Sequence, residues 1–326
     1  MLTTTNSIVT RIIHGCISIR QYEKMARRIE PNFFNCEIGN GVQNSLNLPI
    51  QQQADQLAQC IESHNETKDG FIGLGHQQGG FIMRYYLQMR SHINVKMIRF
   101  VTLGSPLAGN YCNTEIDCKL GFAGIQADII YQSPVQSSIA TSNYWRDPTA
   151  YDKYVKGALA LPVINNEREF SQQVKTNFMS IDKLVMFASP KDEIIRPWQS
   201  SFLGFFKNGS STEIVDMEHT DVYLQDLYGL KTMNEQGRIV KIETLLKNSD
   251  YITNQAFIQE QLAQQLIVEP PQSPQLISTG AIIGITLGVI AGISISIFVI
   301  FIIIKLIKKS SKGALINGSG STQYAI

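Results

Sequence analysis

The residues best suited to chemistry lie in the stretch 70–80, GFIGLGHQQGG. A short apolar run leads to a bend flanked by Gly75 and Gly79 and then to a helical pattern, which predicts a buried strand, a sharp turn and a helix. This is the order of a nucleophile elbow, G-x-S-x-G, in which glycines leave room for a serine held above the end of a sheet. Here Gln77 stands at the serine position. The elbow pattern is therefore present without its usual nucleophile.

Gln77 is unsuited to nucleophilic attack, because its amide nitrogen shares its lone pair with the carbonyl group and no neighbouring base can activate it. Asp192 follows a strongly apolar segment, residues 184–188, where the acid of a catalytic triad would orient a histidine. A lone aspartate in a loop is more often a turn former or a helix cap, and it is the elbow that favours the triad role. The question is whether the chain is an enzyme or keeps only the framework of one.

Predicted strands and helices alternate around these residues. The strands are 7–13, 32–37, 71–74, 97–103, 184–188 and 237–241, and the helices are 22–29, 48–64, one from about 81 to about 90, and 255–267. Such alternation predicts an α/β fold with a mostly parallel sheet covered on both faces. The loop 14–18, which contains His14 and Cys16, follows the first strand at a place where a backbone N–H can contribute to an oxyanion hole.

The pattern breaks between residues 104 and 178, where Gly, Pro, Tyr and Asn are frequent. Short helical pieces such as 133–142 and a dense block, NYWRDP at 143–148, occur in this segment. We interpret it as a cap inserted above the sheet, the usual place for a segment that shapes a substrate pocket. Its aromatic residues are equally consistent with the ordinary packing of a cap.

The segment 280–304 predicts one transmembrane helix, because 25 uncharged residues at about 1.5 Å each exceed the roughly 30 Å hydrocarbon core. A Pro-rich spacer, 269–279, precedes it, and a tail with four lysines, 305–326, follows. The positive-inside rule predicts a cytosolic tail and a lumenal or extracellular domain of residues 1–268. This orientation needs a signal sequence, which is not visible after Met1, so we expect the gene to extend upstream; a tail-anchored cytosolic protein is the alternative.

Composition excludes some partners and favours others. The 28 Lys and Arg residues balance 27 Asp and Glu residues, which gives no electrostatic reason to expect nucleic acid as a partner. No motif indicates a metal or a cofactor, and we expect none. Five cysteines leave at least one free or paired between chains. Asn65 and Asn208 begin N-x-S/T triplets and are candidate glycosylation sites, which fits a secretory compartment.

Several long blocks, in order, resemble the lysosomal palmitoyl-protein thioesterases: HG at 14–15, GLGHQQGG at 73–80, NYWRDP at 143–148, INNER at 164–168, VMFASPKDEIIRPWQSSFLGFF at 185–206 and QDLYGLKTMNEQGRIV at 225–240. The resemblance extends from residue 12 to about residue 267. It implies the α/β-hydrolase fold and the removal of fatty acyl groups from cysteine thioesters by a Ser-His-Asp triad. It also implies a location in the secretory and lysosomal system.

Carried over residue by residue, the resemblance assigns the nucleophile position to Gln77 and the triad acid to Asp192. The base is expected in residues 245–251, which contain no histidine, although Asp250 lies there. The oxyanion-hole donors fall on the backbone N–H groups of Cys16 and Gln78.

The resemblance also bears on the cysteines. Cys112 and Cys118 fall near a disulfide pair of the family. Cys60 matches another bridged cysteine, but its partner position, around Arg90 or Ser91, has none.

With two of three triad positions changed, we expect an inactive or strongly weakened thioesterase homologue that binds a fatty acyl chain or an acylated protein at the membrane. The alternative is an active thioester hydrolase with a non-standard nucleophile, for which Cys16 is a candidate with His14 or His76 as its base. A homodimer is a further expectation, because small residues recur every fourth position along the predicted span, at Gly280, Gly284, Gly288 and Gly292.

Overall fold

The computed structural model describes residues 9–13, 33–37, 40, 42–91, 95–113 and 124–267, together with 302 and 305. Four predicted features lie wholly or mostly outside these residues: the loop 14–18, the helix 22–29, Cys118 and the segment 280–304. Within the described residues, no helix combines the length and the apolar character needed to cross a membrane. The chain divides into two units, Met1–Val268 and Glu269–Ile326.

The framework of the first unit is a parallel sheet. Its strands are β1 (Val9–Ile13), β2 (Phe34–Asn35), β3 (Phe71–His76), β4 (Met97–Leu103), β5 (Lys183–Ala188) and β8 (Ile239–Glu243). A separate antiparallel hairpin, β6 (Phe205–Phe206) and β7 (Ile214–Val215), lies between β5 and β8 in the chain. The main sheet has the order β2-β1-β3-β4-β5-β8, and all its described pairs are parallel. The strand order reverses between β1 and β3, and ligands of parallel sheets bind at the carboxyl ends of strands beside such a reversal.

Helices connect the strands, as parallel pairing requires. In chain order they are α1 (Val42–Asn47), α2 (Ile50–Ser63), α3 (Gln78–Met89), α4 (Ala127–Ile130), α5 (Ser133–Gln136), α6 (Tyr151–Gly157), α7 (Leu161–Ile164), α8 (Gln172–Phe178), α9 (Asp221–Leu224), α10 (Leu230–Glu235), α11 (Gln255–Phe257), a π-helical turn (Ile258–Leu262) and α12 (Ala263–Gln265). Helix α2 has an apolar stripe, Ile50, Leu57 and Ile61, which is fully buried. Helix α3 is buried along nearly its whole length, because it lies between the sheet and the cap.

Successive residues of the strands supply two separate cores. In β5, Leu184 and Met186 belong to the larger cluster, whereas Val185 and Phe187 belong to a second cluster with Phe257 of α11. Alternation places neighbouring side chains on opposite faces of a sheet, so a strand with both faces covered needs a continuous apolar run. The predicted α/β fold with a mostly parallel sheet is thereby confirmed. Together with the elbow between β3 and α3, it is the α/β-hydrolase fold.

The described part of the segment 104–178 forms short helices joined to α3 by a buried polar network. Arg146 and Glu167 form an ion pair of 3.1 Å whose two side chains are almost completely buried. The hydroxyl of Tyr154 donates to Glu167 at 2.6 Å, and Asn165 donates to the same carboxylate at 2.9 Å. Arg84 of α3 donates to Asn165 Oδ1 at 2.7 Å. Removing one member of such a network would leave a buried charge unpaired, so the network connects the segment 104–178 to α3.

The cysteine pairing differs from the pattern that the resemblance suggested. Cys36, just after β2, is bonded to Cys60 of α2 across 24 residues of sequence. Cys60 therefore needs no partner near Arg90 or Ser91. Cys112 is disulfide-bonded as well, to a residue outside the described part, and its predicted bond to Cys118 stays a prediction.

Candidate active site at the end of the elbow strand

The elbow has the strained geometry that its sequence predicts. Gln77 joins β3 directly to α3 with φ 50° and ψ −129°, a backbone conformation that costs a non-glycine residue about 1–3 kcal/mol. Close packing of strand and helix enforces it. A Cβ atom on Gly75 would lie 2.3 Å from Gly80 Cα, and one on Gly80 would lie 2.1 Å from Ser105 Oγ. Glycines are required here because the backbones of β3 and α3 nearly touch.

Asn248 lies where the triad histidine would be expected. It begins a short 3₁₀-helix, Asn248–Ile252, after β8, and its side chain is fully buried. Its Nδ2 donates to Asp192 Oδ2 at 2.6 Å and to the backbone oxygen of Gly104 at 3.0 Å. Its Oδ1 accepts a hydrogen bond from Gln77 Nε2 at 2.5 Å. A carboxylate and a carbonyl can only accept, so they determine which way the Asn248 amide is oriented.

These contacts form a continuous chain, Gln77 to Asn248 to Asp192, which we call the amide relay. It has the connectivity of a Ser-His-Asp triad, in which the acid orients the middle residue and the middle residue contacts the nucleophile position. Two of its three members are amides, which neither gain nor lose protons near neutral pH. Asp192 is the one member that titrates.

Asp192 lies after a strand of the main sheet, and its role as a triad acid stays a prediction. It follows β5 and is almost completely buried. Its Oδ1 accepts the backbone N–H groups of Ile194 and Ile195 at 2.8 and 2.9 Å. Burial raises the pKa of Asp192 above its ordinary value, although the hydrogen bonds from Ile195 and Asn248 lower it. In a triad the neighbouring histidine can offset this cost by carrying a positive charge, and a neutral asparagine cannot.

His76 contacts the backbone of Asn248, the middle residue of the amide relay. It is buried at the end of β3, and its Nε2 lies 2.9 Å from the backbone oxygen of Asn248. Since a carbonyl oxygen can only accept, His76 Nε2 donates in this contact. The ring also meets Tyr251 edge-on at 6.4 Å. His76 thus positions the loop that carries Asn248.

Gln78 carries one of the two predicted oxyanion-hole donors, its backbone N–H, and this role stays a prediction. It is the first residue of α3, and the N–H groups of a first helical turn have no acceptor within the helix. The side chain is engaged elsewhere: Nε2 donates to Ser45 O at 2.6 Å, and Oε1 accepts from the Tyr144 hydroxyl at 3.0 Å. Neither contact involves the backbone N–H of Gln78, whose direction is determined by the turn between β3 and α3. The other predicted donor, Cys16, lies outside the described residues.

Several predicted site residues lie elsewhere. Asp250 does not replace the missing base, because its Oδ2 accepts the backbone N–H of Lys247 at 3.1 Å and caps the 3₁₀-helix. Asn65 is exposed in a short 3₁₀-helix, whereas Asn208 is half-buried and donates to Asp221 Oδ2 at 2.9 Å. Glycosylation of either residue stays a prediction.

Sequence reasoning missed Asn248. It located the loop 245–251 and found no histidine there, but it passed over the asparagine. Asparagine is a planar side chain that can donate to a carboxylate and accept from a neighbour at the same time, as a neutral imidazole does. That property could have identified Asn248 as a residue able to connect Asp192 with Gln77.

Comparison with known proteins places the chain in a family. Residues 10–246 match the family described as palmitoyl protein thioesterase. The lysosomal thioesterase PPT2 homolog of Drosophila melanogaster is 31% identical over 240 residues, which cover 70% of this chain and 81% of that protein. Lysosomal thioesterase PPT2-B of Xenopus laevis is 32% identical over 241 residues, with the same shares covered. A solved lipase of Bacillus licheniformis, BlEst2, is 13% identical with a TM-score of 0.44 over 81% of this chain and 94% of the lipase, too distant to bear on function. The chain belongs to the palmitoyl protein thioesterase family.

Proposed function

We propose that this chain is a palmitoyl-protein thioesterase homologue with little or no hydrolytic activity, which binds a fatty acyl chain or an acylated protein at the old catalytic site. The observation that carries the proposal is the amide relay. Serine attack on a thioester needs a base that accepts the hydroxyl proton, and Asn248 stands at that place. Gln77 offers no hydroxyl, and its amide nitrogen is a poor nucleophile.

The expected loss of rate is large. Removing members of a triad lowers kcat by about 10⁶ in measured cases, and what remains comes from the oxyanion hole and from binding. The backbone N–H of Gln78 supports such a residual contribution, because backbone donors do not depend on the side chain. Binding without turnover is therefore the behaviour that this site favours.

The proposed setting is a membrane of the lysosomal or secretory system. The names of the Drosophila and Xenopus relatives contain the word lysosomal. The uncharged segment 280–304 and the lysines after it favour a single-pass anchor with a cytosolic tail. Such an anchor would hold the acyl-binding domain close to palmitoylated membrane proteins.

The test compares thioester hydrolysis by the full-length protein with hydrolysis by four variants. The substrate is a peptide with a palmitoylated cysteine, and binding of the same peptide is measured separately. We expect no turnover above an Asp192→Ala control, although the peptide binds. The double variant Gln77→Ser with Asn248→His restores the triad residues, and we expect it to exceed both the parent and each single variant.

The single variants are the matched controls, since Gln77→Ser lacks a base and Asn248→His lacks a nucleophile. Turnover by the unmodified protein above the Asp192→Ala level would contradict the proposal and direct attention to Cys16 as the nucleophile. Failure to bind the peptide would contradict the acyl-binding role while leaving the loss of hydrolysis in place.

A further inference from the structure

A cleft lies beside the loop that carries Asp192, and Gln77 is not among its lining residues. It has a volume of about 380 Å³, within the usual range for small-molecule sites. Its apolar wall includes Tyr111, Trp198, Phe206 and Ile214. Its polar side chains include Arg196 and Gln199. We call it the Arg196 cleft.

Three chain segments build the Arg196 cleft. The segment after β4 pairs with the segment after Asp192: Tyr111 donates its backbone N–H to Arg196 O at 2.8 Å, and Arg196 donates its own to Asn110 Oδ1 at 2.5 Å. The β6–β7 hairpin supplies the third side. Its Phe206 meets the Tyr111 ring edge-on, with centroids 5.9 Å apart and planes at 84°. Backbone hydrogen bonds and ring packing thus hold the aromatic wall in place.

The charge of Arg196 is only partly satisfied within the protein. Its Nη1 donates to the backbone oxygen of Asp192 at 3.0 Å. Its Nε is buried without an acceptor, and none of the ion pairs found among the described residues involves Arg196. A buried polar atom without a partner is costly, so the Arg196 guanidinium would gain from a ligand that accepts hydrogen bonds from it.

We propose that the Arg196 cleft binds a small amphipathic carboxylate, an anion carried on a flat apolar body. Guanidinium groups pair with carboxylates through charge-assisted, often two-pronged hydrogen bonds. The edges and faces of Tyr111, Trp198 and Phe206 suit a flat apolar group. The inference does not rest on the proposed function, because no residue of the amide relay lines this cleft.

The test uses 2-naphthoate as the probe and 2-naphthamide as its uncharged counterpart of the same shape. Calorimetric titration of the full-length protein should show tighter binding of the carboxylate than of the amide. Arg196→Gln should weaken naphthoate binding by about tenfold or more and remove the preference for the charged probe. Lys191→Gln is the matched control, because it removes an exposed charge from the same loop, and it should change the affinity by less than about twofold.

Two further variants keep the test decisive if Arg196→Gln does not fold. Ile214→Asp places a carboxylate at the exposed rim of the cleft and should weaken naphthoate binding more than naphthamide binding. Gln77→Ala should leave naphthoate binding unchanged. Equal binding of the two probes, equal effects of Arg196→Gln and Lys191→Gln, a retained preference in Ile214→Asp, or loss of naphthoate binding in Gln77→Ala would each overturn the proposal.

Discussion

The middle position of a catalytic triad makes two demands on a residue, and Asn248 meets only one. It holds Asp192 and Gln77 in line through hydrogen bonds of 2.6 and 2.5 Å. It cannot carry a proton between them. Geometry and acid–base chemistry, which a histidine supplies together, are therefore separated in this protein, and the geometry is what remains.

Asn248 should contribute to stability as well as to geometry. Asn248→Ala would leave Asp192 Oδ2, Gly104 O and Gln77 Nε2 without their partner, and we expect a loss of about 2–3 kcal/mol in the free energy of unfolding. Urea denaturation measures it. The neighbouring Ser249→Ala removes an exposed hydroxyl and should cost less than about 0.5 kcal/mol. Equal losses in the two variants would show that the relay is not a stabilising element.

Asp192 should give the protein a characteristic pH dependence. Its pKa is raised in the folded state by burial, so the folded protein holds this proton more tightly than the unfolded chain does. The resulting stabilisation is present below the ordinary pKa, 3.8, and is lost as the pH rises through the higher folded value. Comparing the pH profiles of unfolding for the parent and Asp192→Asn, from about pH 3 to 7, isolates this contribution. If the parent instead gains stability relative to the variant as the pH rises, the assigned direction is wrong.

At the scale of elements, the strand β3 and the helix α3 pack closely enough that glycine is needed between them. A Cβ on Gly80 would lie 2.6 Å from Ser105 Cβ as well as 2.1 Å from its Oγ. Because Ser105 follows β4, this contact packs the elbow against the segment after β4. The position of Gln77 over the sheet thus depends on two crossover connections and not on the elbow alone.

This packing predicts a specific coupling between two residues. Gly80→Ala should lower the free energy of unfolding by about 1–3 kcal/mol, the usual cost of an added methyl group in a filled core. Ser105→Gly removes the side chain that the methyl group would meet, so the double variant should be more stable than the sum of the two single losses predicts. A double-mutant cycle from denaturation curves measures the coupling. Additive losses would mean that Gly80 is required for another reason.

At the scale of the whole molecule, the cap and the α3 helix share one buried network. Arg84 of α3 lies 4.5 Å above the Tyr228 ring, and burial lowers the pKa of its guanidinium group. The Arg146–Glu167 pair and the tyrosines around it complete the contact. Buried hydrogen bonds and ion pairs of this kind connect the segment 104–178 to α3.

The predicted membrane segment carries the last prediction. Gly284 and Gly288 would lie about one helical turn apart in a span whose small residues let two helices approach closely. Replacing both with leucine should lower the dimer content of the full-length chain in a membrane reporter assay. The matched control is the double variant Ile282→Leu, Ile290→Leu, which also adds two leucines. Each of these positions is two residues from the nearest glycine and therefore lies away from the glycine face of the helix. Unchanged dimerisation in the Gly284→Leu, Gly288→Leu variant would remove the dimer hypothesis.

Much of the framework could be predicted from the sequence because it depends on local physics. The strand Met97–Leu103 has its predicted bounds, and α3 ends at Met89 beside the predicted Arg90. The last strand was predicted at 237–241 and lies at Ile239–Glu243, since apolar periodicity determines the existence of an element better than its ends. The elbow and the glutamine at its centre were also visible in the sequence, because a tight turn needs glycines at fixed neighbouring positions.

Tertiary structure alone decided which distant residues meet. Gln77 and Asn248 are 171 residues apart, and nothing local distinguishes Asn248 from the other polar residues of its loop. The Cys36–Cys60 bond and the Arg196 cleft likewise join segments that share no pattern in the sequence. Local periodicity records how each segment packs against a core, whereas partners across a fold are selected by the three-dimensional course of the whole chain. The sequence by itself determined which residue stands at the centre of the elbow, and the fold decided which distant residue contacts it.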